Sequence, residues 1–318
     1  MRLLRPPPAE AMLGLRAMKT IAAADGVIGA VQRSLIETAA DVVLDVRADI
    51  DALAPIEPAA FAAGFPDPLL RRQFVDGMLV TALADGTPTI ATNKAVAAFA
   101  EALGVETPEL RDLQRLTEGQ MLLFKLDFLR RSQVGDILRD QLDQHGILGL
   151  AKSVLGMRGL IRDPELTARY RAWERLPEDS LGRAMLDYYA RNAFGLPGEH
   201  GGFPEAGLYH DFSHVLASYD TDPAGEIEVA SFTAGYKQHR PFYVLLFAVM
   251  IFSTGVDVRP TTGALTTKGL LGDPDVARRM FAALERGGSL AVDLADKWDY
   301  WPYVAMPVEE VRRRIGIA

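Results

Sequence analysis

Not one of the 318 residues is a cysteine. That absence removes disulfide frameworks, thiolate metal ligands and thiol nucleophiles together, and it suits a reducing compartment. Positive charge is also scarce. With 34 Lys and Arg against 42 Asp and Glu, the net charge is −8. Wrapping a phosphate backbone needs clustered cations, so no nucleic-acid partner is expected. Sustained alternation of apolar and polar residues, the mark of half-buried strands, is missing. So is a bilayer-length apolar run. The longest, PFYVLLFAVMIFSTGV from Pro241 to Val256, falls short of the roughly 18–20 residues that a spanning helix needs. It reads as a buried core helix or a lipid-binding one. There is no glycine-rich phosphate loop after a strand and no serine nucleophile elbow. Pro6, Pro7 and Pro8 interrupt the first apolar residues, so a secretory signal is not expected and the cytoplasm is.

What is present is helix. Apolar residues recur at helical spacing along nearly the whole chain, in stretches rich in Ala, Leu, Arg and Glu, punctuated by Gly, Pro and Asp. Hydrophobic residues make up 49% and charged residues 24%, the globular range. The expected fold is all-α, and the length suits two domains. The first half contains an echo. MKTIAAADGVIGAVQRSLIETAADVV, from Met18 to Val43, and GMLVTALADGTPTIATNKAVAAFAEALGV, from Gly77 to Val105, each read as helix, Ala-Asp-Gly turn, helix. Asp25-Gly26 and Asp85-Gly86 are the two turns. Gly suits the left-handed end of a helix, and Asp tolerates turn geometry. Two such hairpins are expected to pack face to face. Over about residues 10–130 this pattern resembles the TerB-like domain, a helical module first named from tellurite resistance. The resemblance implies an interaction or regulatory module at residues 1–134, in a family where acidic residues near such turns are proposed metal ligands; by turn chemistry Asp25 and Asp85 read here as turn formers. A second domain is expected over residues 135–318, the boundary lying in the charged stretch Leu129–Gly146. His145, beside Gly146, reads as a solvated residue at a helix end.

The stretch LYHDFSHVLASYDTDPAGE, Leu208–Glu226, concentrates the chemistry. His210 and His214 are four residues apart. A helix turns about 100° per residue, so they lie about 40° apart on one face. Asp211 is three residues from His214 and neighbours it as well. His-x-x-x-His is a spacing by which two imidazoles on one helix reach one ion. Asp222 suits an N-cap and Pro223 a first helical residue, so a second, antiparallel helix is expected to start there. Its first turn holds Glu226, close to His214. Two His, one Asp and one Glu suit Zn²⁺, and Fe²⁺ or Mn²⁺ accept the same N/O set. The bland reading stands beside this one: surface or core histidines, and a first-turn acid favoured by the helix dipole.

His-Asp-x-x-His, eleven residues, then Glu resembles the motif of the Coq-four family of ubiquinone (coenzyme Q) biosynthesis proteins. DTDPAGEI at Asp220–Ile227, LPEDSLGRAML at Leu176–Leu186 and KWDYWPYVAMPVEEVRRRIGI at Lys297–Ile317 are similar to further family segments. The resemblance covers about residues 135–317. It implies an all-α domain with a divalent metal, zinc first, at His210, Asp211, His214 and Glu226. It also implies a prenylated quinone precursor or isoprenoid lipid as ligand, and other quinone-biosynthesis proteins as partners. Its chemistry would be replacement of the ring carboxylate by a hydroxyl, a decarboxylase/hydroxylase activity. Homodimer formation and peripheral contact at the inner face of a membrane are compatible with it. GGFPEAGLY, Gly201–Tyr209, and SFTAGYKQHRP, Ser231–Pro241, depart from the family pattern and bear on the substrate.

Alternatives of another class are a non-catalytic lipid-presenting scaffold with a structural metal, and a divergent paralogue acting in a stress response through the TerB-like half. A zincin needs Glu after the first His as general base, and Asp211 stands there instead. A His-Asp phosphohydrolase needs a different ligand order. Lys237, His239 and Arg240 are candidates to hold a carboxylate or headgroup, or are simply the basic end of a helix. His239 is also a candidate to approach the metal. Phe242 and Phe247 are candidates for a prenyl groove. Trp298, Tyr300, Trp301 and Tyr303 suit a membrane interface but are expected to pack onto the domain. His200, among glycines, reads as a loop residue.

Overall fold

The computed structural model describes residues 1–132, 134–136, 138–139, 142–143, 146, 162–202, 205–258, 266–296 and 298–317. Among these every regular element is helical, as the periodicity requires. The only β features among the described residues are two isolated bridges, Ser180 with Pro307 and Thr254 with Lys268. Proline, far from breaking the helices, starts them. Pro8, Pro58, Pro68, Pro108, Pro164, Pro223, Pro241 and Pro274 each open one. At the first helical position the missing N–H has no partner to lose, and φ is already helical.

The echo becomes two hairpins. The first joins α1 (Pro8–Ala22) to α2 (Ala30–Val42), and the second joins α4 (Pro68–Leu83) to α5 (Ile90–Leu103). The short α3 (Pro58–Ala63) lies between them in sequence. Gly26 and Gly86 take φ of +105° and +141° at the two turns, which glycine permits without strain. α1 packs on both helices of the second hairpin. Leu15, Ile21, Leu35, Ile36, Phe74 and Phe99 are buried where they meet. Asp85 lies against Gly29. Burial, reinforced by Asp25, pushes its carboxyl pKa up.

α6 (Pro108–Thr117) and α7 (Met121–Arg131) follow. Here the helices bury charge, and each buried charge has a partner, as the desolvation cost demands. Arg72 bonds Asp76 at 2.8 Å and Glu109 at 3.2 Å. Asp127 pairs with Arg115, Arg130 and Arg131. Asp112 accepts a 2.7 Å hydrogen bond from Tyr243 Oη.

The main apolar core does not stop at the expected division after residue 134. It continues into α11 (Pro223–Tyr236), α12 (Pro241–Phe252) and α13 (Pro274–Gly288). α13 packs on α2 and α12 on α4. α12 is the apolar run, and it is a core helix. Phe242 is buried, and Phe247 stacks on Phe128 at 6.5 Å. No helix among the described residues is long and apolar enough to cross a membrane. His145 and Lys297 lie outside the described residues.

A second cluster gathers α8 (Pro164–Arg171), α9 (Leu181–Arg191), α10 (Leu208–Ala217), α14 (Val308–Ile315) and the aromatic tail. Phe212 of α10 meets Tyr300 at 4.7 Å and Trp298 at 5.4 Å. Trp301 packs on Trp173 and Tyr170, and Tyr303 on Trp298. The tail aromatics are therefore the backing of α10.

α11 sits between the two clusters: Ile227 and Ala234 belong to the first, Phe232 and Tyr236 to the second. It crosses α13 at backbone contact. A Cβ on Gly287 would lie 2.0 Å from the Phe232 carbonyl oxygen, and one on Gly235 would lie 2.5 Å from Gly288 N. Gly287→Ala should therefore lower stability by at least about 1–3 kcal/mol, despite alanine's better helix propensity. Chemical denaturation of the two proteins measures this. The buried Asp76 supplies a second expectation. Burial, which outweighs the Arg72 attraction, lifts its pKa to about 7. The folded state then keeps a proton that the unfolded chain releases near pH 4. The neutral carboxyl is tolerated at low pH, and stability falls as pH rises from there through about 7. Asp76→Asn should remove that part of the decline, read from melting temperatures between pH 5 and 8.

Candidate metal centre

α10 owes its orientation to Leu208, Phe212 and Leu216, which recur at i, i+4, i+8 and face the aromatic cluster. His210 and His214 stand together on a neighbouring face. The helix ends in a left-handed residue, Ser218 at φ +60°, and both Ser218 and Tyr219 donate their N–H to the His214 carbonyl. Two arginines cover the remaining carbonyls. Arg312 donates to Val215 and Leu216, and Arg286 donates to Ala217. Cations here also oppose the negative end of the helix dipole. The chain then reverses. Asp222 Oδ1 accepts from Gly225 N at 2.7 Å and so caps α11, as the Asp-Pro pair suggests. The turn is tight enough that a Cβ on Gly225 would lie 2.0 Å from the Asp220 carbonyl oxygen. Glu226 follows immediately.

Three donor groups converge. His210 Nε2 and His214 Nε2 are 3.2 Å apart. Glu226 presents Oε2 at 3.3 Å from His210 Nε2 and Oε1 at 3.4 Å from His214 Nε2. A tetrahedral ion with ligands near 2.0–2.1 Å has donor–donor edges of about 3.3–3.4 Å, so the three separations match one triangular face of such a site. His214 Nδ1 lies 3.1 Å from the Tyr219 carbonyl oxygen. A carbonyl only accepts, so Nδ1 carries the proton and Nε2 keeps its lone pair toward the other donors. Tyr188 stacks on the same ring at 5.6 Å and 25°. The His214 side chain is wholly buried, while His210 and Glu226 are 30% and 26% exposed. The group is closed on the His214 side and accessible on the other.

Asp211, expected as a fourth ligand, does not join this group. Consecutive helical residues diverge by about 100°, which carries its carboxylate away from the side that His210 faces. It accepts a 2.5 Å hydrogen bond from Tyr189 Oη instead, and it is buried. Burial pushes the Asp211 carboxyl up. Burial, then the nearby Asp211 charge, pushes the Tyr188 and Tyr189 phenols up as well, so both stay neutral donors. Burial opposes the charge on Glu226, but His210 and His214 overcome it and bring its pKa down to about 2. Burial likewise opposes the imidazolium of His210, yet Glu226 prevails and raises its pKa.

The other candidates are elsewhere. Lys237 is buried in an ion pair with Asp296. His239 is exposed, 4.0 Å from Asp136, and outside the donor group. Arg240 has φ +49° just before α12. His200 is exposed in its loop. Sequence reasoning missed Tyr188, Tyr189 and the Tyr219 carbonyl. A Tyr-Tyr pair on α9 carries no spacing rule, and a main-chain acceptor leaves no residue signature. A cleft of about 810 Å³ opens between α9 and the turn after α10, lined by Tyr188, Arg191, Asn192, His214, Thr221 and Arg312 among others, and neither His210 nor Glu226 lines it.

No family model matches the chain, and no curated protein matches it. Its likeness to known families rests on the motifs quoted above.

A proton competes with a metal for His210. Because that pKa is raised above the ordinary imidazole value of 6.5, metal affinity should go on climbing at pH values where an ordinary imidazole site would already have levelled off. Competition with a chromophoric zinc chelator across pH 6–8.5 measures this slope. Glu226→Gln removes the cause of the raised pKa, so it should move the inflection to lower pH while weakening binding overall.

Proposed function

We propose that this chain is a divalent-metal protein of quinone biosynthesis, holding one ion at His210, His214 and Glu226 and acting on a prenylated aromatic precursor. One observation carries the metal reading: three N/O donors on successive helices, 3.2–3.4 Å apart, with the buried histidine fixed in its metal-binding tautomer by the Tyr219 carbonyl. The donor set suits zinc, and iron or manganese equally accept it. Three protein donors leave a coordination position free, the arrangement of catalytic sites. A bound divalent ion supplies Lewis acidity at that position, suited to a ring carboxylate or phenolic oxygen. The chain's own groups keep the buried ligand in place: the Tyr219 carbonyl and the Tyr188 ring hold His214, while Tyr189 holds the neighbouring Asp211 away from the donor group. Exchange of a ring carboxylate for a hydroxyl is an oxidation. It needs a two-electron oxidant from outside the chain, such as dioxygen, which iron or manganese at this site could engage and redox-inert zinc could not. The substrate class rests on the resemblance to the Coq-four family, as do quinone-biosynthesis partners.

Asp211 supports a second reading. It is buried beside both histidines, and a change of rotamer that brought it to the ion would complete a closed, four-ligand structural site. The protein would then present lipid rather than transform it. X-ray absorption of the metal-loaded protein separates the two by counting N/O protein ligands.

Purified protein should hold about one equivalent of a divalent metal by elemental analysis. His214→Ala should lose it, with at least a tenfold drop in affinity. Wild-type protein that takes up no metal after dialysis against zinc, iron or manganese would remove the proposal.

A further inference from the structure

The two segments whose composition suits lipid, Pro241–Val256 and the tail aromatics, are largely taken up in packing. Large exposed apolar side chains gather elsewhere, on α7. Met121, Leu122, Leu123 and Leu126 are 39%, 73%, 53% and 59% exposed within six consecutive residues. The helical turn of about 100° per residue sorts α7 into two arcs. Phe124, Asp127, Phe128 and Arg131 form the inner one. Phe124 and Phe128 are fully buried, Phe128 meets Tyr243 at 5.5 Å, and Asp127 pairs with Arg115 and Arg131. The outer arc is Leu122, Leu126 and half-buried Leu129, in line at i, i+4 and i+7. Lys125 borders it on one side. Arg130, 66% exposed and bonded to Asp127 at 2.7 Å, borders it on the other. Asp127 is the acid of α7, and it belongs to the inner arc.

We propose that this face of α7 docks on an anionic lipid surface. The apolar groups are flexible Leu and Met, with none of the Trp or Tyr centres on which protein interfaces concentrate their energy. Both flanks are basic, as on helices that lie in a membrane interface and meet anionic headgroups. A second copy docking through the same face would bring Lys125 and Arg130 against their own equivalents, which disfavours self-association. The remainder of a chain of net charge −8 is repelled by such a surface, so the basic flanks also orient the molecule with α7 toward lipid. The proposal does not depend on the metal reading.

The full chain is sedimented with vesicles of phosphatidylcholine alone and of phosphatidylcholine mixed with phosphatidylglycerol. Binding is expected to the mixed vesicles, weaker by about tenfold without the anionic lipid, and reduced by added salt. Leu122→Glu combined with Leu126→Glu should cut binding at least tenfold with melting temperature and metal content unchanged. Lys125→Gln with Arg130→Gln should weaken binding to the mixed vesicles alone. If the glutamates lower the melting temperature, Leu122→Gln with Leu126→Gln replaces them. Absence of binding to mixed vesicles, binding unchanged in the leucine variants, or a solution dimer that those variants dissociate would each overturn the proposal.

Discussion

Enclosure of α11 is the constraint on which the rest depends. From Ala224 to Lys237 every residue is buried except Glu226. A helix enclosed on all sides cannot rotate or slide without breaking both clusters that hold it. Small residues make the enclosure possible. Gly235 and Gly287 bring α11 and α13 to backbone contact, and Ala224, Ala230 and Ala234 keep its other surfaces thin. The side chain left most open to solvent is the carboxylate that meets His210 and His214. Rigidity of the helix thereby becomes precision in the placing of that carboxylate.

The partner helix is fixed by different means. α10 is held from behind by aromatic contacts on Phe212 and at its C-terminal end by Arg286 and Arg312. Between the two helices runs a turn so tight that Gly225 is sterically required. The same turn supplies the Tyr219 carbonyl that sets the His214 tautomer. Loop geometry and the geometry of the donor group are in this way one feature. The charges are mutually dependent too. Glu226 stays ionised in a largely buried place because two imidazoles face it, and His210 holds its proton more firmly because Glu226 is there.

Much of this was legible in sequence where the physics is local. Helical periodicity, proline starts and Asp-Gly turns depend on neighbours a few residues apart, and they gave the all-α fold and both hairpins. The same holds for His210, His214 and Glu226, brought together by an i, i+4 pair and an Asp-Pro cap. Asp211 was expected beside His214 from their i, i+3 spacing, and that spacing carries no sign of Tyr189, the partner on another helix that takes its carboxylate. The apolar run Pro241–Val256 and the aromatic tail were ambiguous for another reason. Composition states that a surface is apolar, but not whether protein or lipid covers it, and here protein does.

The sequence by itself therefore determined what short-range geometry controls: helix type, helix ends, turns, and which donors share a face. Tertiary structure alone decided what depends on distant partners. It joined α11–α13 to the first hairpin in one core, turned Asp211 to Tyr189, buried Lys237 against Asp296, and left the leucines of α7 outside. The first three outcomes pair groups far apart in the chain, the fourth is the lack of such a pairing, and no spacing rule reaches across such separations. Packing chooses among them by the apolar area and the charges that must be covered together.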